Sequence, residues 1–110
     1  MTKDWRAHAL HIIGASEKIK RICARGDFLA DEILFDALLR NLQTLSEAVG
    51  LLPEALKEKF EEIPWREISG FRTILVHNYL GEIDRTTIQS ILNNDLDPLV
   101  ARVKEMLKAE

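Results

Sequence analysis

Apolar side chains recur along this chain at three- and four-residue intervals, the spacing of one face of a helix with 3.6 residues per turn. Trp5, Ala9, Ile12, Ser16, Ile19 and Cys23 form the first such stripe, which stops at Gly26. A second and longer stripe runs through Phe35, Leu38, Leu39, Leu42, Leu45 and Val49 to Gly50, with Asp27 as a cap or Asp31 as the opening residue. Pro53 suits the first turn of a shorter helix through Phe60, and Pro64 closes it, because the residue before a proline avoids the helical region. That reading leaves Trp65 in a loop or tight turn. Ser69 and Gly70 then open a helix carrying Phe71, Ile74 and Leu75, which stops near Gly81. Thr86 or Thr87 begins a further helical stretch through Leu92, and Asp97 with Pro98 supplies the cap and first turn of a last helix bearing Leu99, Val100, Val103 and Leu107. Alternating strand patterns are nearly absent, so the predicted fold is all-α, an up-and-down bundle of four to six helices.

Length and composition narrow this further. The chain has 110 residues, 46% of them hydrophobic and 30% charged, which predicts a single domain over residues 1–110 with no linker or internal repeat. A domain of this size buries roughly two thirds of its unfolded surface and needs no disulfide or metal staple. The lone Cys23 excludes an intramolecular disulfide and a cysteine zinc cluster, and its place on the first stripe reads as an inert core position. No run of 18 apolar residues occurs, and Asp4, Trp5, Arg6 and His8 interrupt the start, so a cytoplasmic protein without a membrane segment is expected. Trp5 and Trp65 read as residues that bury against the bundle rather than stack on bases.

The formal net charge of −3 argues against a protein that coats nucleic acid by bulk electrostatics, but the total hides an asymmetry. Residues 1–25 hold six basic side chains against two acidic ones, and the remainder holds nine against sixteen. Lys18, Lys20, Arg21 and Arg25 could guide a polyanion to one end of the molecule, or be a solvated helix end favoured by the macrodipole.

The chain has no P-loop, dinucleotide-binding glycine pattern, nucleophile elbow or His-Glu-x-x-His. Two constellations remain. Asp4, His8 and His11 fall within about 60° on a helix and could contribute to a divalent transition-metal site, or be ordinary exposed residues without a fourth ligand. The second comprises Arg72, His77, Asn78 and Tyr79. Histidine, with an unperturbed pKa of about 6.5, exchanges protons near neutrality, and arginine offers a fixed cationic fork for phosphate. Together they suffice for metal-free cleavage of an RNA backbone, with the imidazole moving the 2′-hydroxyl proton and the guanidinium stabilising the phosphorane-like transition state. Tyr79 could add a hydrogen bond or a stacking face for a base.

With Phe71 set at zero, helical geometry places Ile74 and Leu75 beside it, Arg72 and Tyr79 near about 90° and His77 near about 240°. Arg72 and His77 of one regular helix therefore do not converge easily. Val76 and Leu80 lie opposite the core stripe, where they meet either another chain or the last helix of the same chain. A two-fold contact through this helix would let Arg72 of one protomer serve His77 of the other.

The stretch from Ile63 to Tyr79, with its Arg72-x4-His77-x-Tyr79 motif, resembles the HepT-like branch of the HEPN superfamily. Ala37-Leu38-Leu39-Arg40-Asn41-Leu42 with Ser46-Glu47-Ala48, and Asn94-Asp95-Leu96-Asp97-Pro98-Leu99, resemble two further family segments, so the likeness covers residues 5 to 107. Ser46 stands where the family usually has glycine, and Pro98 falls one residue late. The resemblance implies a HEPN-like helical homodimer, a metal-independent endoribonuclease without a cofactor, and a toxin paired with a minimal nucleotidyltransferase antitoxin. It implies Arg72 and His77 as the catalytic pair. Tyr79 would accept nucleotidyl groups from the partner enzyme, with Asn78 beside it in modification or substrate binding. Asn41 and Glu47 could line or brace the cleft, or make buried hydrogen bonds between helices. The alternative is a non-catalytic nucleotide- or RNA-binding module that serves as the partner subunit of a nucleotidyltransferase.

Overall fold

Two aspartates open the two long helices, each with its own carboxylate. In the computed structural model, which describes residues 4–77 and 85–109 and the side chains of residues 4–71 and 88–108, Asp4 accepts from the Arg6 N–H at 3.0 Å to start α1 (Trp5–Arg25). Asp31 accepts from the N–H groups of Ile33 and Leu34 at 2.9 and 3.3 Å to start α2 (Glu32–Gly50). Both satisfy amides that a helix start leaves without an intrahelical partner. Asp27 instead shapes the connection, its carboxylate accepting from the Leu29 N–H and its carbonyl from those of Ala30 and Asp31. A Cβ at Gly26 would stand 3.1 Å from Leu34 Cδ1, so the missing side chain lets the turn lie close to α2.

The inner faces of α1 and α2 pack on each other through Ala9, Ile12, Ala15 and Ile19 against Leu38, Leu42, Leu45 and Val49, all buried. After a short α3 (Glu54–Lys57), α4 (Trp65–His77) packs along α2, and α5 (Arg85–Asn94) leads to α6 (Leu96–Ala109), which covers α1 with Leu99, Val103 and Met106. Among the described residues there are six helices and no strand, so the expected all-α bundle holds.

Five local expectations are corrected. Trp65 is the first residue of α4 rather than a loop residue, and Ser69 and Gly70 lie inside the helix instead of opening it. The conformational restriction of Pro64 falls on Ile63, so a helix can start directly after the proline; the Ile68 N–H donates to the Pro64 carbonyl at 3.0 Å. The helix after Pro53 spans only Glu54–Lys57, with turns continuing to Phe60. The last helix begins at Leu96, with the Leu99 N–H donating to the Asp95 carbonyl at 3.1 Å, and Pro98 sits in the first turn where its missing N–H costs nothing. Cys23 is exposed. It lies on the stripe as the periodicity requires, but at the last turn of α1, where a recess beside Phe28 and Leu96 leaves it uncovered.

Both tryptophans are half-buried and pack on the core. Trp65 Nε1 donates to the carbonyls of Phe60 and Lys57 at 2.9 and 3.1 Å, pinning the α3 turn to the start of α4.

Candidate functional site

The candidate site rests on α4. Glu67 in its first turn suits the positive end of the helix dipole, and Ile68 and Phe71, three apart, are both buried. These two side chains share a small apolar void with Leu42, Leu45, Ile91 and Leu99, which fixes the rotation of α4 about its axis. Arg72 follows the anchored Phe71 directly, and His77 is the last residue of the helix. Helical geometry thus sets Arg72 about 100° and His77 about 240° from the Phe71 direction, on two flanks of the buried stripe. The same five-residue separation keeps the two positions about 140° apart within one copy of the chain. Asn78, Tyr79 and Leu80 lie outside the described residues, and the partner of Val76 lies outside the described side chains.

The register of α2 against α4 positions two further candidates. A Cβ at Gly50 would be 3.7 Å from that of Ser69, so the end of α2 meets the start of α4 and the helices run antiparallel. Equal rise along both puts Glu47, three residues before Gly50, level with Arg72, three residues after Ser69. Asn41 comes level with the end of α4. Asn41 is half-buried, and its Nδ2 donates to the Ala37 carbonyl of its own helix at 2.8 Å instead of bridging two helices. Glu47 is exposed.

The constellation of Asp4, His8 and His11 separates differently. The Asp4 carboxylate is committed to Arg6, from its backbone N–H and from its guanidinium at 3.2 Å, and this bonding holds its pKa below the ordinary value. His8 and His11 lie on the same helix, but among the described residues no group of three His, Cys, Asp or Glu side chains is arranged to hold a metal ion.

Two groups carry environments that periodicity did not reveal. Half-buried Asp95, at the α5–α6 junction, has its carboxyl pushed above 3.8 by burial and by the negative charge of Glu67. The Cys23 thiol, though exposed, is likewise raised by desolvation from the walls of its recess, which disfavours the reactive thiolate. The four-residue basic cluster at the end of α1 also divides: Lys20 Nζ pairs with Asp97 Oδ1 at 3.0 Å, whereas Lys18, Arg21 and Arg25 are exposed without a described acidic partner. Sequence spacing alone could have separated Lys20 from the other three, since they occupy different helix faces.

Comparison with known proteins decides the family. The profile of the family described as Ribonuclease HepT-like matches residues 8–106. The chain belongs to the HepT-like ribonuclease family. A protein of Caldanaerobacter subterraneus subsp. tengcongensis with a provisional RNase name is 38% identical over 94 residues, covering 86% of this chain and 82% of its own. The Thermococcus cleftensis protein named "Probable ribonuclease HepT" is 29% identical over 106 residues, 96% of both chains. A Methanocaldococcus jannaschii protein named for a gamma-glutamylcyclotransferase and a provisional RNase is 28% identical over 111 residues; the chain spans half of that protein's length. No solved structure matches the chain. The HepT-like match takes in α4 with Arg72 and His77, as well as Asn41, Glu47 and the basic turns of α1. Among the described residues no helix is long and apolar enough to cross a membrane.

Proposed function

We propose that this HepT-like ribonuclease is a metal-independent endoribonuclease, acting as the toxin of a toxin and antitoxin pair through a composite site at a homodimer cleft. The supporting observation is the family match across residues 8–106, which includes Arg72, His77 and Tyr79 in one Arg-x4-His-x-Tyr motif. The continuous helix from Trp65 to His77 adds a geometric reason for the dimer. Positions five apart on one helix face different ways, and a second copy related by a two-fold axis can bring Arg72 of one chain to His77 of the other.

In this mechanism the His77 imidazole takes the proton of a 2′-hydroxyl as its oxygen attacks the adjacent phosphorus. The bond from phosphorus to the 5′-oxygen breaks, and the proton passes to that departing oxygen. The products are a cyclic 2′,3′-phosphate and a 5′-hydroxyl, so no water is consumed in the step. Arg72 stabilises the charge that builds on the non-bridging oxygens. Nucleotidylation of Tyr79 by a minimal nucleotidyltransferase antitoxin would add phosphate within the motif that holds Arg72 and block the cleft by charge and bulk. Asn78 would contribute to binding there, and Asn41 and Glu47, level with the two ends of the motif, would support the cleft from α2.

The test is cleavage of total cellular RNA by the purified protein, with and without chelator, beside His77→Ala and Arg72→Ala. Each substitution is expected to lower cleavage by at least about a hundredfold, the scale of a lost general acid–base or charge-stabilising group, without changing the melting temperature. RNA that stays intact with the wild-type protein, or cleavage that persists in either variant, would overturn the assignment. A wild-type protein that binds nucleotide or RNA without cutting would identify a binding module instead.

A further inference from the structure

The site on α4 makes no use of Lys18, Arg21 and Arg25. They stand at i, i+3 and i+7 on α1, within about 60° of one another and about 10 Å from first to last along the axis. All three are exposed. The ion pairs of the described residues engage Arg6, Lys20, Lys57 and Arg102 and leave this row out, including its neighbour Glu17 one turn before Arg21. The helix dipole accounts for a cation in the final turn, where Arg25 sits, but its effect fades within one turn and does not reach Lys18. Three like charges on one row also repel one another, so the fold gains little from them.

Topology sets this row at a particular end of the molecule. The short connection from Gly26 to Asp31 makes α2 run back along α1, and the approach of Gly50 to Ser69 makes α4 run back along α2. By the register of α2 against α4, His77 stands level with Leu42 in the middle of α2, and the α1 row runs from near that level toward the Gly26 end of the bundle. Protein partners favour interfaces with an apolar centre. The exposed large apolar residues of the described chain are Leu10, Leu29, Ile33 and Leu51, and none lies on α1 between Glu17 and Arg25.

We infer that Lys18, Arg21 and Arg25 form a phosphate-binding row for single-stranded RNA flanking the scissile bond, a cationic strip on a chain whose residues 26–110 are acidic on balance. The choice of RNA rests on the ribonuclease reading. Such a row holds the backbone without reading bases, so it should govern affinity and salt dependence rather than the chemical step.

The experiment measures binding of a labelled, unstructured 20-nucleotide RNA by fluorescence anisotropy over a series of salt concentrations, in a His77→Ala background so that nothing is cut. Lys18→Glu, Arg21→Glu and Arg25→Glu are combined, with the corresponding glutamine triple as a milder version if acids at the end of α1 impair folding. A triple of Lys59→Glu, Lys104→Glu and Lys108→Glu carries the same charge change elsewhere. The row variants should bind at least tenfold more weakly at low salt, and the slope of log K against log salt should shrink by about 2, the value for three phosphate contacts on a single strand. The control triple should keep most of the wild-type slope. An unchanged slope in the row variants, an equal loss in the control, absence of RNA binding by the parent protein, or a loss seen only toward a protein partner would each overturn the proposal. RNA held through the row but never cut by the protein with His77 intact would sink the ribonuclease reading and leave the row standing. Cleavage indifferent to the row, in affinity and in salt response, would sink the row alone.

Discussion

At the scale of single residues, the informative side chains are those whose surroundings differ from what their type suggests. Asp95 is an ordinary carboxylate in the sequence, yet half-burial and the charge of Glu67 raise its pKa above 3.8. The folded state therefore holds the Asp95 proton more tightly than the unfolded chain does, and stability falls as pH rises through the interval between the two pKa values. At neutral pH the whole of that penalty is present. Asp95→Asn keeps a good residue at the start of α6 and removes the charge, so it should unfold at higher urea concentration than the wild type at pH 7. The advantage should disappear near pH 3, where the wild-type carboxyl is protonated in both states; an equal difference at both pH values would contradict the account. Cys23 teaches a related point, because periodicity gives a residue's direction from the helix axis but not whether anything lies in that direction.

At the scale of elements, the start of α4 is held from outside the helix. The Trp65 indole donates to two carbonyls of the preceding segment, and Arg102 of α6 reaches back to Glu62 with its Nε 2.6 Å from Oε2. Trp65→Phe preserves most of the ring's burial but leaves those carbonyls without the indole N–H. A loss of about 1–3 kcal/mol in unfolding free energy is expected, the cost of a broken part-buried hydrogen bond, readable by urea denaturation. A loss of only a few tenths would mean that water replaces the indole freely. The start of this helix was misread from the sequence because Ser69 and Gly70 are good helix-opening residues in isolation. Burial of Ile68, the residue just before Ser69, together with its backbone bond to Pro64, outweighs that local preference.

At the scale of the whole molecule, the arrangement of the motif on one helix makes a prediction about pairs of chains. With a composite site, a protomer carrying His77→Ala still offers Arg72, and one carrying Arg72→Ala still offers His77. Mixing the two inactive variants in equal amounts, with exchange of subunits, should recover about a quarter of wild-type cleavage, since half the dimers hold one intact site of two. No recovery, with subunit exchange demonstrated, would place both residues in one chain's site.

What the sequence by itself determined was the helical class, the positions and facing of the two long helices, the exclusion of the motif-bearing enzyme classes, and the family, whose motif is a local string of residues. These are properties of neighbours along the chain: 3.6-residue periodicity, a helix-opening Asp31, and an Arg-x4-His-x-Tyr spacing. Tertiary structure alone decided that Cys23 is uncovered, that Lys20 is tied to Asp97 while Lys18, Arg21 and Arg25 are not, that the charge of Glu67 acts on Asp95, and that α1 and α4 run in the same direction, both antiparallel to α2. Each of these depends on which residues distant in the sequence are brought together, and burial and charge pairing are properties of that assembled environment, which no local pattern encodes.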